Sequence, residues 1–188
     1  MFIQTEETPN PASLKFIPDG IVVMENDTAN FKSKEQALKS PLAEELFKID
    51  GVSSIFFGRD FITVTKADEI EWKKIKTEIL ATIMDFFVAE KSVMHDASAP
   101  TSSMVDENDS EIVKQIKELI EIKVRPAVAM DGGDIIFRGF EDGVVMLELK
   151  GSCSGCPSST ITLKNGIENM LKHYIPEVVS VEQISDYD

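Results

Sequence analysis

The chain has 188 residues, of which 43% are hydrophobic and 28% are charged, and its net charge is −14 at pH 7. This length provides for one large domain or two small ones, and the negative charge opposes binding to nucleic acid or anionic lipid. The longest apolar stretch, 79–89, is broken by polar residues and falls short of the roughly 20 residues that span a bilayer, so we predict no membrane segment.

The first half of the chain predicts strands and helices in the order ββαββα. Ser40 and Pro41 are typical of the N-cap and first position of a short helix, and Asp68 with Glu71 predicts the cap of a longer one. The predicted elements are a hairpin of 14–17 with 21–25 around Pro18-Asp19-Gly20, the helix from Ser40, a hairpin of 52–57 with 61–65, and the long helix.

Residues 1–89 contain no cysteine, no histidine and no Gly-rich phosphate loop. Trp72 lies at helical spacing with other apolar residues, which favours a core position over an exposed interface anchor. We therefore interpret this half as a recognition or assembly module.

Charge and composition divide the chain into three parts. Residues 90–109 carry 5 acidic and 1 basic side chain and are rich in small and polar residues, without a sustained apolar period. Such composition is typical of a flexible tether. We predict a first domain over 1–89, an acidic linker over 90–109 and a second domain over 110–188.

The second half predicts the order αββαβ, which makes the whole chain an α+β protein of two small domains. Asp109 or Ser110 predicts a helix cap, and Pro126 should end or kink that helix near Arg125 because proline lacks an amide hydrogen. Gly132-Gly133 predicts a tight turn, with close approach to a ligand as the alternative. Strands 135–137 and 144–149 then flank a turn at 141–143, and a helix begins near Pro157.

The two cysteines, Cys153 and Cys156, follow the second of these strands and precede the helix. Pro157 suits the first helical position, which makes Cys156 the predicted cap. Unpaired amides and the dipole at a helix N-terminus stabilise thiolate, the form that binds metal. Gly155 should allow both sulfurs to face one metal centre, and Ser154, Ser158 and Ser159 could donate hydrogen bonds to sulfur or simply cap the helix.

Three interpretations of the C-x-x-C pair remain open on spacing alone. The cysteines could be an inert structural pair, the dithiol of an oxidoreductase, or half of a metal site shared by two chains, since no other cysteine completes a four-thiolate site. The oxidoreductase is disfavoured because proline follows the pair and does not lie within it. Spacing does not separate zinc from an iron–sulfur cluster.

Two cysteines this close do not form a secreted disulfide framework, which favours a reducing compartment. Residues 1–7 lack the pattern of a secretory signal or a mitochondrial transit peptide. We predict a bacterial cytoplasmic protein, although a mitochondrial matrix protein that has lost its presequence would show the same pattern.

The second domain resembles the C-terminal domain of NifU and the Nfu-type iron–sulfur scaffold proteins. The matching segments are 124–134 (VRPAVAMDGGD), 151–164 (GSCSGCPSSTITLK) and 175–178 (IPEV). The opening segments 4–6 (QTE), 8–11 (TPNP) and 14–16 (LKF) resemble the N-terminal domain of Nfu proteins of mitochondria and their bacterial relatives.

This resemblance implies a carrier, not an enzyme. The family's C-x-x-C pairs from two protomers hold one [4Fe–4S] cluster, and Cys153 and Cys156 match that motif residue for residue. The implied partners are a second copy of the chain, client apoproteins that receive the cluster, and upstream cluster-assembly proteins. The thiolates are expected at a surface loop, from which a cluster is easily passed on.

Overall fold

The computed structural model describes residues 2–25, 27–95, 109–154 and 157–184, and the side chains of 157–159 lie outside this description. The chain divides into two compact units, 1–101 and 102–188. Each unit has its own hydrophobic core. The predicted α+β class with two small domains is confirmed.

The first unit is a five-stranded antiparallel sheet with helices packed on one face. Its elements are β1 (Ile3–Glu7), β2 (Ser13–Pro18), β3 (Ala29–Phe31), α1 (Lys34–Ala37), α2 (Pro41–Leu46), β4 (Val52–Phe57), β5 (Ile62–Lys66) and α3 (Trp72–Val88). The strand order is β1-β2-β5-β4-β3. The order along the chain, βββααββα, therefore contains one strand and one short helix more than the predicted ββαββα.

The predicted hairpin of 14–17 with 21–25 is wrong. Strand β2 pairs with β1 on one side and with β5 on the other, so both of its edges are already used. Residues 21–25 form a loop instead, in which the amides of Val23 and Met24 donate to the carbonyl of Arg59 at 2.7 and 3.2 Å. The second predicted hairpin, β4 with β5, is confirmed.

Of the two predicted helix starts in this unit, one is confirmed. The Ser40 hydroxyl accepts from the amide of Ala43 at 3.1 Å, with proline in the first turn of α2. Helix α3 begins at Trp72, four residues after the predicted cap Asp68, and Glu71 at its N-cap makes no side-chain cap hydrogen bond. The predicted cap at Asp68 is therefore wrong.

Trp72 packs against the first core with partial exposure, and its indole Nε1 donates to the carbonyl of Pro11 at 3.1 Å. The hydrogen bond ties the start of α3 to the loop between β1 and β2. The side chain therefore serves the fold, as the predicted core position implied.

Residues 93–95 of the predicted linker pack on the first unit. Ser40 Oγ donates to the carbonyl of Val93 at 2.5 Å, and the amide of His95 donates to the carbonyl of Lys39 at 3.0 Å. Val93 and Met94 contact the first core. Residues 96–108 lie outside the described residues, so the predicted boundaries of the linker stay a prediction.

The second unit follows the predicted order αββαβ. Its elements are α4 (Glu111–Leu119), a π-helical segment (Ile120–Val124), α5 (Arg125–Met130), β6 (Gly133–Glu141), β7 (Val144–Gly151), α6 (Pro157–Tyr174) and β8 (Ser180–Gln183). Strand β7 lies in the middle of the sheet, antiparallel to β6 and parallel to β8. The turn between β6 and β7 is confirmed; Asp142 and Gly143 both have positive φ, as two-residue hairpin turns require.

Pro126 does not end the first helix of the second unit, but the turn of the helix just before it is irregular. The helix widens to π geometry over Ile120–Val124 and returns to α geometry at Arg125. Proline lacks the amide hydrogen that an α-helix needs and its ring crowds the preceding turn, so an enlarged turn accommodates it.

Among the described residues, no helix has the length and apolarity needed to cross a membrane.

Candidate functional site

Cys153 lies in the connection between β7 and α6, as the sequence predicts. Strand β7 ends at Gly151, whose φ is +68°, and α6 begins at Pro157. A left-handed backbone is accessible to glycine at little cost, so Gly151 turns the chain out of the sheet immediately before the cysteine. Cys156 and Gly155 lie outside the described residues, and their predicted roles stay predictions.

The Cys153 side chain is buried, which corrects the expectation of an exposed thiol at a surface loop. Only 5% of the residue is exposed, and it belongs to the core of the second unit. The reason is that the backbone turn at Gly151 directs the side chain inward, toward the start of β6.

The paired glycines at the start of β6 provide the space for this sulfur. Gly132 forms the turn, with a φ of +79°, and Gly133 pairs with Gly151 across the sheet. A Cβ added at Gly133 would lie 2.7 Å from Cys153 Sγ and 2.6 Å from the carbonyl oxygen of Lys150. The turn interpretation of this motif is therefore confirmed, and Gly133 in addition allows the close approach of a thiol.

Hydrogen bonds join the cysteine segment to the β6 turn. The amide of Ser152 donates to the carbonyl of Gly132 at 3.2 Å, and its hydroxyl donates to the carbonyl of Asp131. The same hydroxyl lies 3.9 Å from Cys153 Sγ. Sequence reasoning did not single out Ser152, because its role depends on a turn 20 residues earlier in the chain.

The hydroxyls that were predicted to reach sulfur have other partners or lie outside the description. Ser154 Oγ donates to the carbonyl of Gly151 at 2.9 Å, a local turn contact. From the first turns of α6, Thr160 Oγ1 donates to the carbonyl of Cys153 at 3.2 Å. The side chains of Ser158 and Ser159 are not described. The cysteine segment is thus held both by the β6 turn and by α6.

An ion pair between the partly exposed Arg125 and the buried Asp134 fixes the start of β6. Arg125 Nε and Nη2 each donate to the Asp134 carboxylate at 2.9 Å, and Asp134 also accepts from the amide of Ile135 at 2.8 Å. Burial alone lowers the pKa of Arg125, but the hydrogen bonds and charges of Asp134 and Glu121 outweigh it and raise that pKa above its ordinary value. The pair anchors α5 to the residue next to Gly133.

No group of three or more histidine, cysteine, aspartate or glutamate side chains that could hold a metal ion occurs among the described residues. Within that part of the chain, the ligand available near the loop is the thiol of Cys153. Thiolate sulfur is a ligand for zinc and for iron–sulfur clusters.

Comparisons with known proteins match both units. Residues 3–90 match the family described as "Scaffold protein Nfu/NifU N terminal", and residues 116–182 match "NifU-like domain". The class that the two units define is therefore a two-domain scaffold protein of the Nfu/NifU type.

Full-length relatives make the assignment more specific. The chain is 55% identical over 187 residues to the human protein named "NFU1 iron-sulfur cluster scaffold homolog, mitochondrial", covering 99% of this chain and 73% of that one. It is 52% identical to the protein of the same name from Drosophila erecta, covering 99% of this chain and 66% of that one. The solution structure of a NifU-like protein from Saccharomyces cerevisiae is also similar, with a TM-score of 0.46, 27% identity, and coverage of 51% of this chain and 86% of that one. The chain belongs to the Nfu family of iron–sulfur cluster scaffold proteins.

Proposed function

We propose that this protein assembles a [4Fe–4S] cluster between two copies of the chain and transfers it to client apoproteins, with Cys153 and Cys156 of each copy as the ligands. The observation that carries the proposal is the position of Cys153 between the end of β7 and the start of α6 within a NifU-like domain. The names of the relatives as iron–sulfur scaffolds support the same role.

The number of cysteines supports a shared site. The chain has two cysteines, whereas a cuboidal cluster bound by thiolates alone takes four. Two copies provide the full set without any ligand from a third protein. Because each chain would hold the cluster through only two thiolates, neither chain binds it firmly alone, and this favours release of the cluster to a client.

Transfer requires only ligand exchange. A client thiolate attacks an iron atom and replaces one thiolate of the carrier, which then takes up the proton that the client thiol has lost. Iron and sulfide keep their oxidation states in this step, so no oxidant or reductant is needed. The proposed role is therefore that of a carrier, without turnover of a substrate bond.

The burial of Cys153 adds a conformational step to loading. The residue is 5% exposed and its sulfur lies beside Gly133, so segment 151–154 must move before the sulfur binds iron. The hydrogen bonds of Ser152 and Thr160 with this segment would break or rearrange during that step. Slow loading by free iron and sulfide is the expected consequence.

Anaerobic reconstitution of the full chain tests the proposal. We expect about two irons and two sulfides per chain, a Mössbauer spectrum of a four-iron cluster and the mass of a dimer. Cys153→Ser and Cys156→Ser should each abolish cluster binding, and mixing the loaded protein with an apo four-iron acceptor should transfer the cluster. Iron binding that survives both substitutions would overturn the proposal.

The same measurements separate the alternatives that spacing leaves open. About half a zinc per chain, with no sulfide, would favour a structural zinc site. A colourless monomer with a reversible Cys153–Cys156 disulfide would favour a dithiol oxidoreductase. Neither outcome is compatible with a cluster carrier.

We further propose that the domains are 1–89 and 110–188, with a linker over 90–109, and that the first domain recognises a client or an assembly partner. A tether would keep a bound client near the cluster and raise its effective concentration. Limited proteolysis should cut within 96–108 and leave two stable fragments.

For the location, the mitochondrial names of the relatives favour the mitochondrial matrix over the predicted bacterial cytoplasm.

A further inference from the structure

Two large apolar side chains are exposed directly beside the cysteine segment. Met130 ends α5 and is 75% exposed, and Ile161 in the second turn of α6 is 61% exposed. The neighbour of Met130, Asp131, accepts a hydrogen bond from Ser152, and the neighbour of Ile161, Thr160, donates one to the carbonyl of Cys153. Both exposed side chains therefore flank the segment that carries the proposed ligand.

The sequence around these side chains is uncharged, in contrast to the rest of the chain. Residues 151–163 contain no charged side chain, nor do residues 126–130, although 28% of the chain is charged. Two copies that each carry a net charge of −14 repel one another over most of their surfaces. Asp131 and Lys164 border these uncharged stretches, so two copies that approach here bring together fewer like charges than they would over most of the surface.

We propose that Met130 and Ile161 form the apolar contact between two copies of this chain around the shared cluster. The inference rests on the proposed function, because the cluster site is incomplete without the second copy's cysteines. Each copy must bring its cysteine segment within bonding distance of the same cluster, so the residues beside that segment meet their equivalents across a two-fold axis. Apolar side chains at that place gain by leaving water.

This contact is small, which suits a carrier. Two side chains per copy bury far less than the roughly 1,200 Å² of total surface that the smaller stable interfaces bury. The contact alone is therefore too weak to hold two copies together without cluster. Cluster and contact act together, so loss of the cluster to a client returns the chain to a monomer.

The test measures the dissociation constant of the cluster-loaded dimer by anaerobic sedimentation over a dilution series of the full chain. The variants are Met130→Ser and Ile161→Ser. The matched controls are Val179→Ser and Ile122→Ser, because both residues are 64% exposed and lie elsewhere on the second unit. The amide of Val179 donates to the carbonyl of Gly143, at the end of β7 opposite to Gly151.

We expect each of the two variants to weaken the loaded dimer by about tenfold, as loss of a buried apolar contact does, while the controls change it by less than about twofold. Far-ultraviolet circular dichroism and thermal unfolding of the apo proteins should match the unsubstituted chain, since all four side chains are exposed. If Met130→Ser and Ile161→Ser retain both cluster and dimer affinity, the contact is elsewhere and only this inference fails. If the unsubstituted chain binds no cluster, the proposed function fails and this inference with it.

Discussion

Gly133→Ala tests whether the contact between β6 and the cysteine segment is as tight as the structure shows. The new Cβ would lie 2.6 Å from the Lys150 carbonyl oxygen and 2.7 Å from Cys153 Sγ, where ordinary contacts are 3.4–4 Å. The carbonyl belongs to the backbone of β7 and the sulfur belongs to the core, so neither is a flexible side-chain end. The substitution must therefore push the two strands apart or displace the cysteine.

The expected cost follows from two opposing effects. Alanine in a strand position that allows it gains about 0.5–1 kcal/mol over glycine by restricting the unfolded chain. Overpacking of a well-packed site costs about 1–3 kcal/mol. The φ of Gly133 is not in the left-handed region, so the penalty is steric alone. We expect the free energy of unfolding of the second unit to fall by about 1–2 kcal/mol.

The assay uses Cys153 as its own probe in a Cys156→Ser background, where the chain has one thiol. Cys153 is 5% exposed, so its reaction with an aromatic disulfide requires opening of the segment. Gly133→Ala should accelerate the reaction about tenfold, the change that a loss of 1.4 kcal/mol in the opening free energy produces. Fluorescence of Trp72, the only tryptophan, reports the first unit and should be unchanged.

Gly166→Ala is the matched control, because a Cβ at this exposed position in α6 meets no atom within 4 Å. It should stabilise the second unit by about 0.5–1 kcal/mol and leave the thiol reaction unchanged. A Gly133→Ala protein that is as stable as the unsubstituted chain and no more reactive would refute the proposed packing of Cys153 against β6.

Four further substitutions test three other contacts. Asp134→Asn removes the charge of the buried carboxylate but keeps one acceptor for Arg125, so the second unit should lose about 2 kcal/mol in urea unfolding. Glu121→Gln, at the exposed end of the same network, should cost less than about 0.5 kcal/mol, and equal effects would contradict the pairing of Arg125 with Asp134. The Glu168 carboxylate accepts hydrogen bonds from Lys172 and from the amide of Val181, which lower its pKa below the ordinary 4.5. The stabilising effect of the Glu168 carboxylate is therefore present above pH 4.5 and lost as the pH falls through the lowered pKa. Glu168→Gln should flatten the decline of stability in acid. An unchanged pH profile would show that the contact is not maintained in solution. Trp72→Phe removes the indole donor to the Pro11 carbonyl and should lower the stability of the first unit by about 1 kcal/mol by circular dichroism; no change would mean that water replaces this bond without cost.

Local signals in the sequence were sufficient for several features of the fold. Ser40 and Ser110 cap helices because a hydroxyl beside unpaired amides acts over three residues and needs no tertiary context. The Asp142-Gly143 turn has the same basis, since its backbone angles depend on residue type. The position of Cys153 between strand and helix also follows from local patterns.

Features that depend on distant partners could not be predicted. Residues 21–25 have strand-like composition, but β1 and β5 occupy both edges of β2, and composition does not report such competition. The π-helical segment before Pro126 depends on whether packing allows a wider turn in place of a helix end. Cap prediction at Asp68 failed because that residue type serves loops as well as helix starts.

The position of Cys153 in the candidate site was predictable from the sequence, and its burial was not. C-x-x-C at a helix start identifies Cys153 as a candidate ligand, whereas its burial depends on Gly133, 20 residues earlier, and on the bond of Ser152 with Asp131. The Arg125–Asp134 pair was missed because ion pairs nine residues apart carry no periodic signal. Only the folded sheet brings these residues together.

The inward position of the Cys153 side chain has a consequence for its resistance to oxidation. Oxidants attack cysteine according to its accessibility and thiolate character, and overoxidised sulfur no longer binds iron. A cysteine residue that is 5% exposed is shielded from peroxide. The turn at Gly151 therefore protects the thiol of a proposed ligand, and the lifetime of that thiol under oxidative stress depends on how rarely the segment opens.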